Sequence, residues 1–132
     1  MKKIILAFAF LSFVSCNIDN TDDFQTHLIA IDEAVTPSSL TFGTTVQITV
    51  KYTLPNGCYR FYELFYNPQG NTRTVAVRAL QDLNAVCTQA TIEEEYTFPL
   101  TVTQTQDYVF RFWKGTDNDG QDIFEEVIIP VN

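Results

Sequence analysis

Along most of the chain apolar and polar residues alternate with a period of two. Val46, Ile48, Val50, Tyr52 and Leu54 interleave with Thr45, Gln47, Thr49, Lys51 and Thr53, the pattern of a strand with one face in a core and the other in water. The same rhythm returns in Tyr96, Phe98, Leu100 and Val102 against Thr97, Thr101 and Thr103, and again in Tyr108, Phe110 and Phe112 against Val109, Arg111 and Trp113. Less regular strands are read at 28–35, 58–67, 73–80 and 123–131. Between them lie Thr36-Pro37-Ser38-Ser39, Pro55-Asn56-Gly57, Asn67-Pro68-Gln69-Gly70-Asn71 and a glycine-bounded stretch over 115–120, residues that fix φ or allow it to be positive. About seven strands in little more than a hundred residues predict an all-β fold, a single antiparallel β-sandwich of immunoglobulin-like or fibronectin-III-like type over 28–132. Helix is expected at most as a turn or two through Ala79, Leu80, Leu83 and Val86, ahead of Cys87.

The first residues obey a different pattern. Met1-Lys2-Lys3 precedes an apolar run from Ile4 to Val14, broken by Ser12. Eleven residues rise about 16 Å as a helix, roughly half the hydrocarbon thickness, so the run suits a signal h-region and is too short to span a bilayer. Phe13-Val14-Ser15-Cys16 then resembles the lipobox of bacterial lipoproteins, in which a small residue precedes a cysteine that is acylated and becomes the mature N-terminus. Leu is usual at the place of Phe13 and a small residue at that of Val14, and lipoproteins of the Bacteroidota tolerate such relaxed boxes. The resemblance implies a signal peptide over 1–15 and lipidation at Cys16. After it, Asn17-Ile18-Asp19-Asn20-Thr21-Asp22-Asp23 is polar and acidic, with almost nothing to bury. It reads as a flexible tether over 16–27, similar to the export signals that send Bacteroidota lipoproteins to the outer face of the outer membrane. The implied location is the cell envelope, lipid-anchored in the outer membrane and exposed at the surface.

Charge and cysteine count follow from that processing. The whole chain has 8 basic and 16 acidic residues; removing Lys2 and Lys3 moves the net charge from -8 to -10. Such a balance disfavours nucleic acid, which rewards clustered Lys and Arg. With Cys16 committed to lipid, Cys58 and Cys87 remain as a pair, and an oxidising envelope favours a disulfide between them over a free thiol.

The body resembles immunoglobulin-like modules, and more narrowly short lipoproteins of the Bacteroidota that carry one such domain. The residues that carry the likeness are Asn56-Gly57-Cys58-Tyr59-Arg60-Phe61, Ala85-Val86-Cys87-Thr88 and Asp107-Tyr108-Val109-Phe110-Arg111-Phe112. Tyr108 looks like a tyrosine corner, whose hydroxyl bonds to upstream backbone. Neither cysteine follows Tyr108 by two residues and Trp113 is off the central strand, so the inter-sheet disulfide of antibody domains is not implied.

Chemistry-bearing clusters are few. Asp117, Asp119 and Asp122, with Gly120 and Glu126, superficially match a calcium loop. Gly115 stands at its first position with no ligand, and strands flank it, so an Asp-Gly hairpin turn is the better reading. Glu93 and Glu95 share one strand face with Glu94 on the other; a hydrolase built on such surface carboxylates would need neighbours that separate their pKa values, and an exposed strand supplies none. His27, the single histidine, is placed before the first strand and serves no triad. No cofactor is expected. Aromatic residues are the least ordinary feature. Tyr59, Phe61 and Phe65 are assigned one strand face and Tyr62 and Tyr66 the other, and since a sandwich strand buries one face, some rings should be exposed. Tyr59, Arg60, Phe61, Arg111 and Trp113 therefore form the candidate contact surface for a protein or glycan. The sequence favours a non-enzymatic binding or structural module held to the membrane by its lipid, with a carbohydrate-binding accessory lipoprotein as the alternative.

Overall fold

The computed structural model describes residues 23–132; the signal segment, Cys16 and most of the tether lie outside the described residues. Eight strands form two sheets: β1 (Phe24–Ile29), β2 (Ile31–Val35), β3 (Thr45–Leu54), β4 (Tyr59–Gln69), β5 (Thr72–Asp82), β6 (Ile92–Thr101), β7 (Tyr108–Thr116) and β8 (Asp122–Ile129). One sheet holds β4, β5, β1, β7 and β8, the other has the order β2-β3-β6. Neither contains helix among the described residues, and the fold is the expected all-β sandwich. Ladder pairs are antiparallel except β5 and β7, which run parallel through Thr72↔Val109 to Val75↔Phe112.

The period-two reading locates the core. Ile48, Val50, Tyr52 and Leu54 of β3 face Val75, Val77 and Ala79 of β5 and Tyr108, Phe110 and Phe112 of β7, all buried. Tyr108, Phe110 and Phe112 stack in sequence, with centroids 6.2 and 5.6 Å apart. The hydroxyl of Tyr108 accepts the Thr103 backbone N–H at 3.1 Å, which makes it the tyrosine corner its position suggested. Cys58 and Cys87 are joined, 29 residues apart. The bond fastens the start of β4 to the crossover after β5. Gly57 packs beside it: its N–H donates to the Thr88 carbonyl at 3.0 Å, and a Cβ there would lie 2.7 Å from Thr88 Oγ1, so a larger residue would push the Thr88 side chain aside.

Four local expectations are corrected. The strand expected at 28–35 is two strands in different sheets, split at Ala30, because the chain passes from one layer to the other there. The first begins at Phe24, so residues 24–27, placed in the tether, are part of the sheet and pair with Asp82 to Ala79. His27 is thus a strand residue: its Nε2 lies 2.8 Å from Gln81 Oε1 and its ring 5.4 Å from that of Tyr59. β5 continues to Asp82 where a helical turn was allowed, because β1 extends the ladder along Ala79 to Asp82. Asn67, Pro68 and Gln69 belong to β4, and the turn narrows to Gly70 and Asn71, with Gly70 at φ +59°. A proline is tolerated there because β4 pairs on one side only, with β5.

A bulge in β4 corrects the aromatic faces. The register to β5 shifts between Phe61 and Glu63, and one extra residue inverts every side chain beyond it. Tyr59 and Phe61, expected on an exposed contact surface, point inward and pack against the core. Past the bulge it is Leu64 and Tyr66 that face the other sheet, with Tyr66 set edge-on to Phe98, while Phe65 turns outward.

Candidate functional site

Side chains on the outer face of the five-stranded sheet enclose a groove of about 390 Å³, and its origin can be read strand by strand. β5 sends Val75, Val77 and Ala79 inward, so Thr74, Ala76 and Arg78 face out. Two of these are small, and the strands around them are not: Phe65 of β4 stands on one side, Leu28 of β1 and Trp113 of β7 with Phe124 of β8 on the other. Walls one strand to either side of a low floor are about 10 Å apart, twice the spacing between strands. The groove opens where β1 and β7 share the same edge of β5: β7 pairs with Thr72 to Val75 and β1 takes over from Val77. Leu28 and Phe65 remain 47% and 42% exposed, apolar surface that a ligand would cover.

Polar groups fix the walls. The Trp113 indole N–H donates to Asp122 Oδ1 at 3.0 Å, which holds the ring against an exposed carboxylate. Arg78 donates to Glu63 Oε1 at 2.6 Å at the rim. The Arg111 guanidinium lies 4.1 Å from the centroid of Phe124. Thr26 adds a further polar lining group.

The five residues expected to share a contact surface do not. Tyr59 and Phe61 face the core, Phe61 stacking on Tyr96 at 4.6 Å. Arg60 is outward but lies over Phe24, 5.0 Å from its centroid, and Arg111 is spent on Phe124. Trp113 alone of the five lines the groove. Thr26, Leu28, Thr74, Ala76, Arg78 and Phe124 were not singled out from the sequence, and Phe65 enters there only as one of the β4 aromatics. The usable signal was Thr74-Val75-Ala76-Val77, where large inward residues alternate with small outward ones.

The acidic loop closes on itself. Asp117 accepts the backbone N–H groups of Asp119 and Gln121, both at 2.9 Å, and pairs through its own N–H with the Gln121 carbonyl. These are the bonds of the hairpin turn the sequence favoured over a calcium loop, and Asp122 serves Trp113. Among the described residues no group of three or more His, Cys, Asp or Glu side chains is arranged to hold a metal ion. Of the glutamate run, Glu94 accepts the Tyr52 hydroxyl at 3.0 Å. Burial, with that bond and charge, holds the phenol far above its ordinary range.

Two facing sheets, an inward aromatic stack and a tyrosine corner define a β-sandwich domain. The chain belongs to the ORF11 beta-sandwich domain family, whose model matches residues 48–126. That span runs from within β3 into β8 and includes the disulfide, the floor of the groove and Trp113, while β1 lies before it. No curated protein and no solved structure matches the chain.

Proposed function

We propose that this protein is a non-enzymatic binding module of the cell envelope, held to the outer membrane by lipid on Cys16, that seats a glycan in the groove on its five-stranded sheet. The observation that carries the reading is the Trp113 indole, locked by Asp122 across a low floor from Phe65. A fixed aromatic face offers a flat apolar surface at little entropic cost on binding, and the C–H faces of a sugar ring are its natural complement. The Asp122 carboxylate and the hydroxyls of Thr26 and Thr74 are placed to accept and donate to sugar hydroxyls, the small set of polar groups that orients a ligand in a mostly apolar cleft. Asp122 is the one carboxylate lining the groove among the described residues, whereas glycoside hydrolysis calls for two flanking the bond. That argues for binding without turnover.

The test is a glycan array probed with the purified full chain, followed by titration of the best ligand. Trp113→Ala weakens binding roughly tenfold or more, the loss of one well-packed aromatic contact, and Ala76→Leu, which fills the floor, abolishes it with the fold intact by circular dichroism. In parallel, Cys16→Ala moves the protein from the detergent to the aqueous phase in a Triton partition. Binding unaffected by both groove variants, or a Cys16→Ala protein that still partitions with detergent, rejects the corresponding half of the proposal.

A further inference from the structure

A second surface lies along the side of the sandwich, where β4 ends one sheet and β6 ends the other. Five strands cannot be matched by three, and the deficit falls here. Val75, Val77 and Ala79 of β5 and Tyr108, Phe110 and Phe112 of β7 are fully buried, but Tyr66 of β4 is 37% exposed and Tyr96 of β6 is 36% exposed. A trough of about 510 Å³ runs between them, with Leu64, Phe98 and Leu100 in its walls and Arg73, laid over Tyr108, also lining it. Along it runs an uncovered backbone edge. Val102 hydrogen-bonds through both its N–H and its C=O to the segment leading into β3, and the β3 to β6 register is unbroken from Thr101 to Ile92. Hydrogen-bonding direction alternates along a strand, so Glu93, Glu95, Thr97 and Thr101 turn their N–H and C=O groups to the open side. Pro99 falls in the same set, its missing donor on the side where no ladder needs it.

We infer that the β6 edge accepts an extended segment of a basic partner protein as a fourth strand, apolar toward the trough and carrying Lys or Arg where it passes Glu93 and Glu95. Strand addition supplies affinity through the backbone and specificity through alternate side chains. The charge on this edge excludes a copy of the same chain: glutamates along an edge repel an equally acidic strand. No basic side chain among the described residues forms an ion pair with them: Lys51 stands opposite Glu95 in the ladder, but its ammonium lies 3.5 Å from Glu33. Lys51, Arg78 and Lys114 are paired with Glu33, Glu63 and Glu125, and Arg60, Arg73 and Arg111 lie over Phe24, Tyr108 and Phe124. The inference does not depend on the groove, which is on the far face of the other sheet.

A synthetic peptide Thr-Val-Thr-Val-Thr-Val-Lys-Val-Lys, which places its lysines beside Glu95 and Glu93 when antiparallel to β6, is the probe. The full chain binds it in fluorescence anisotropy and gains hydrogen-exchange protection at the amides of Glu95, Thr97 and Thr101. Exchanging both lysines for glutamate weakens binding roughly tenfold, the scale of two cross-strand charge reversals. Glu93→Gln with Glu95→Gln, exposed substitutions that leave the core untouched, removes most of that preference. Absence of binding, binding without protection of those three amides, equal affinity for the two peptides, or a dimer of this chain that protects the same edge in sedimentation and exchange would each overturn the inference.

Discussion

Replacing Cys58 and Cys87 together by serine tests how this small domain holds its connections. The bond closes a loop of 29 residues that contains the whole β4 to β5 hairpin. In the chain-entropy account, a loop of that length restricts the unfolded chain by about 12 cal/mol/K, or roughly 3.5 kcal/mol at 25 °C. Set against a total stability of about 5–15 kcal/mol for a domain, this is a large share. Other ties share the task of holding the crossover. Leu83 N–H donates to the Asp23 carbonyl at 2.8 Å and Asp82 N–H to the Cys58 carbonyl at 2.9 Å, while Asp82 Oδ1 accepts from Asn84 and Ala85. The crossover is therefore expected to stay in place in the serine variant near 25 °C, with the cost falling on global unfolding. At about 4 °C per kcal/mol for a domain of this size, the midpoint drops by roughly 10–15 °C. Paired calorimetric scans of the parent, with and without reductant, and of the double serine variant give the number directly. A variant that melts within 2 °C or so of the oxidised parent would show that the bridge constrains little in the unfolded ensemble, and the loop-entropy argument would fail.

Two further outcomes follow from buried phenols. Tyr108→Phe keeps the aromatic stack and strands the Thr103 N–H, so urea titration should show a loss of about 1–2 kcal/mol with an unchanged m-value; an unaltered midpoint would mean the corner bond adds nothing beyond packing. Tyr52 is held neutral in the fold, far above the ordinary tyrosine range, by burial and by the Glu94 carboxylate beside it. A raised folded pKa means its contribution is complete below the unfolded value near 10 and is lost as pH climbs past it, by up to about 1.4 kcal/mol per pH unit for each such group. Tyr52→Phe should accordingly flatten the fall in stability between about pH 10 and 11.5, and an identical slope in the two proteins would contradict the assignment.

What the sequence determined by itself was the period. A two-residue alternation assigns faces without reference to any partner, so the inward set Ile48, Val50, Tyr52, Leu54 and Tyr108, Phe110, Phe112 could be read in advance, as could the tyrosine corner and the Cys58 to Cys87 pairing. The tertiary structure decided everything that depends on which strand lies beside which. Ala30 divides one apolar stretch between two sheets because separate neighbours claim its halves. The β4 bulge is a property of register against β5, and nothing local in Phe61-Tyr62-Glu63 announces it, yet it turns Phe65 out to the groove and Tyr66 in toward the trough. The groove itself is a difference in height between small side chains on β5 and large ones on strands up to fifty residues away in sequence. Periodicity is written along one strand, whereas the shape of a face is written across several, and only pairing puts those residues side by side.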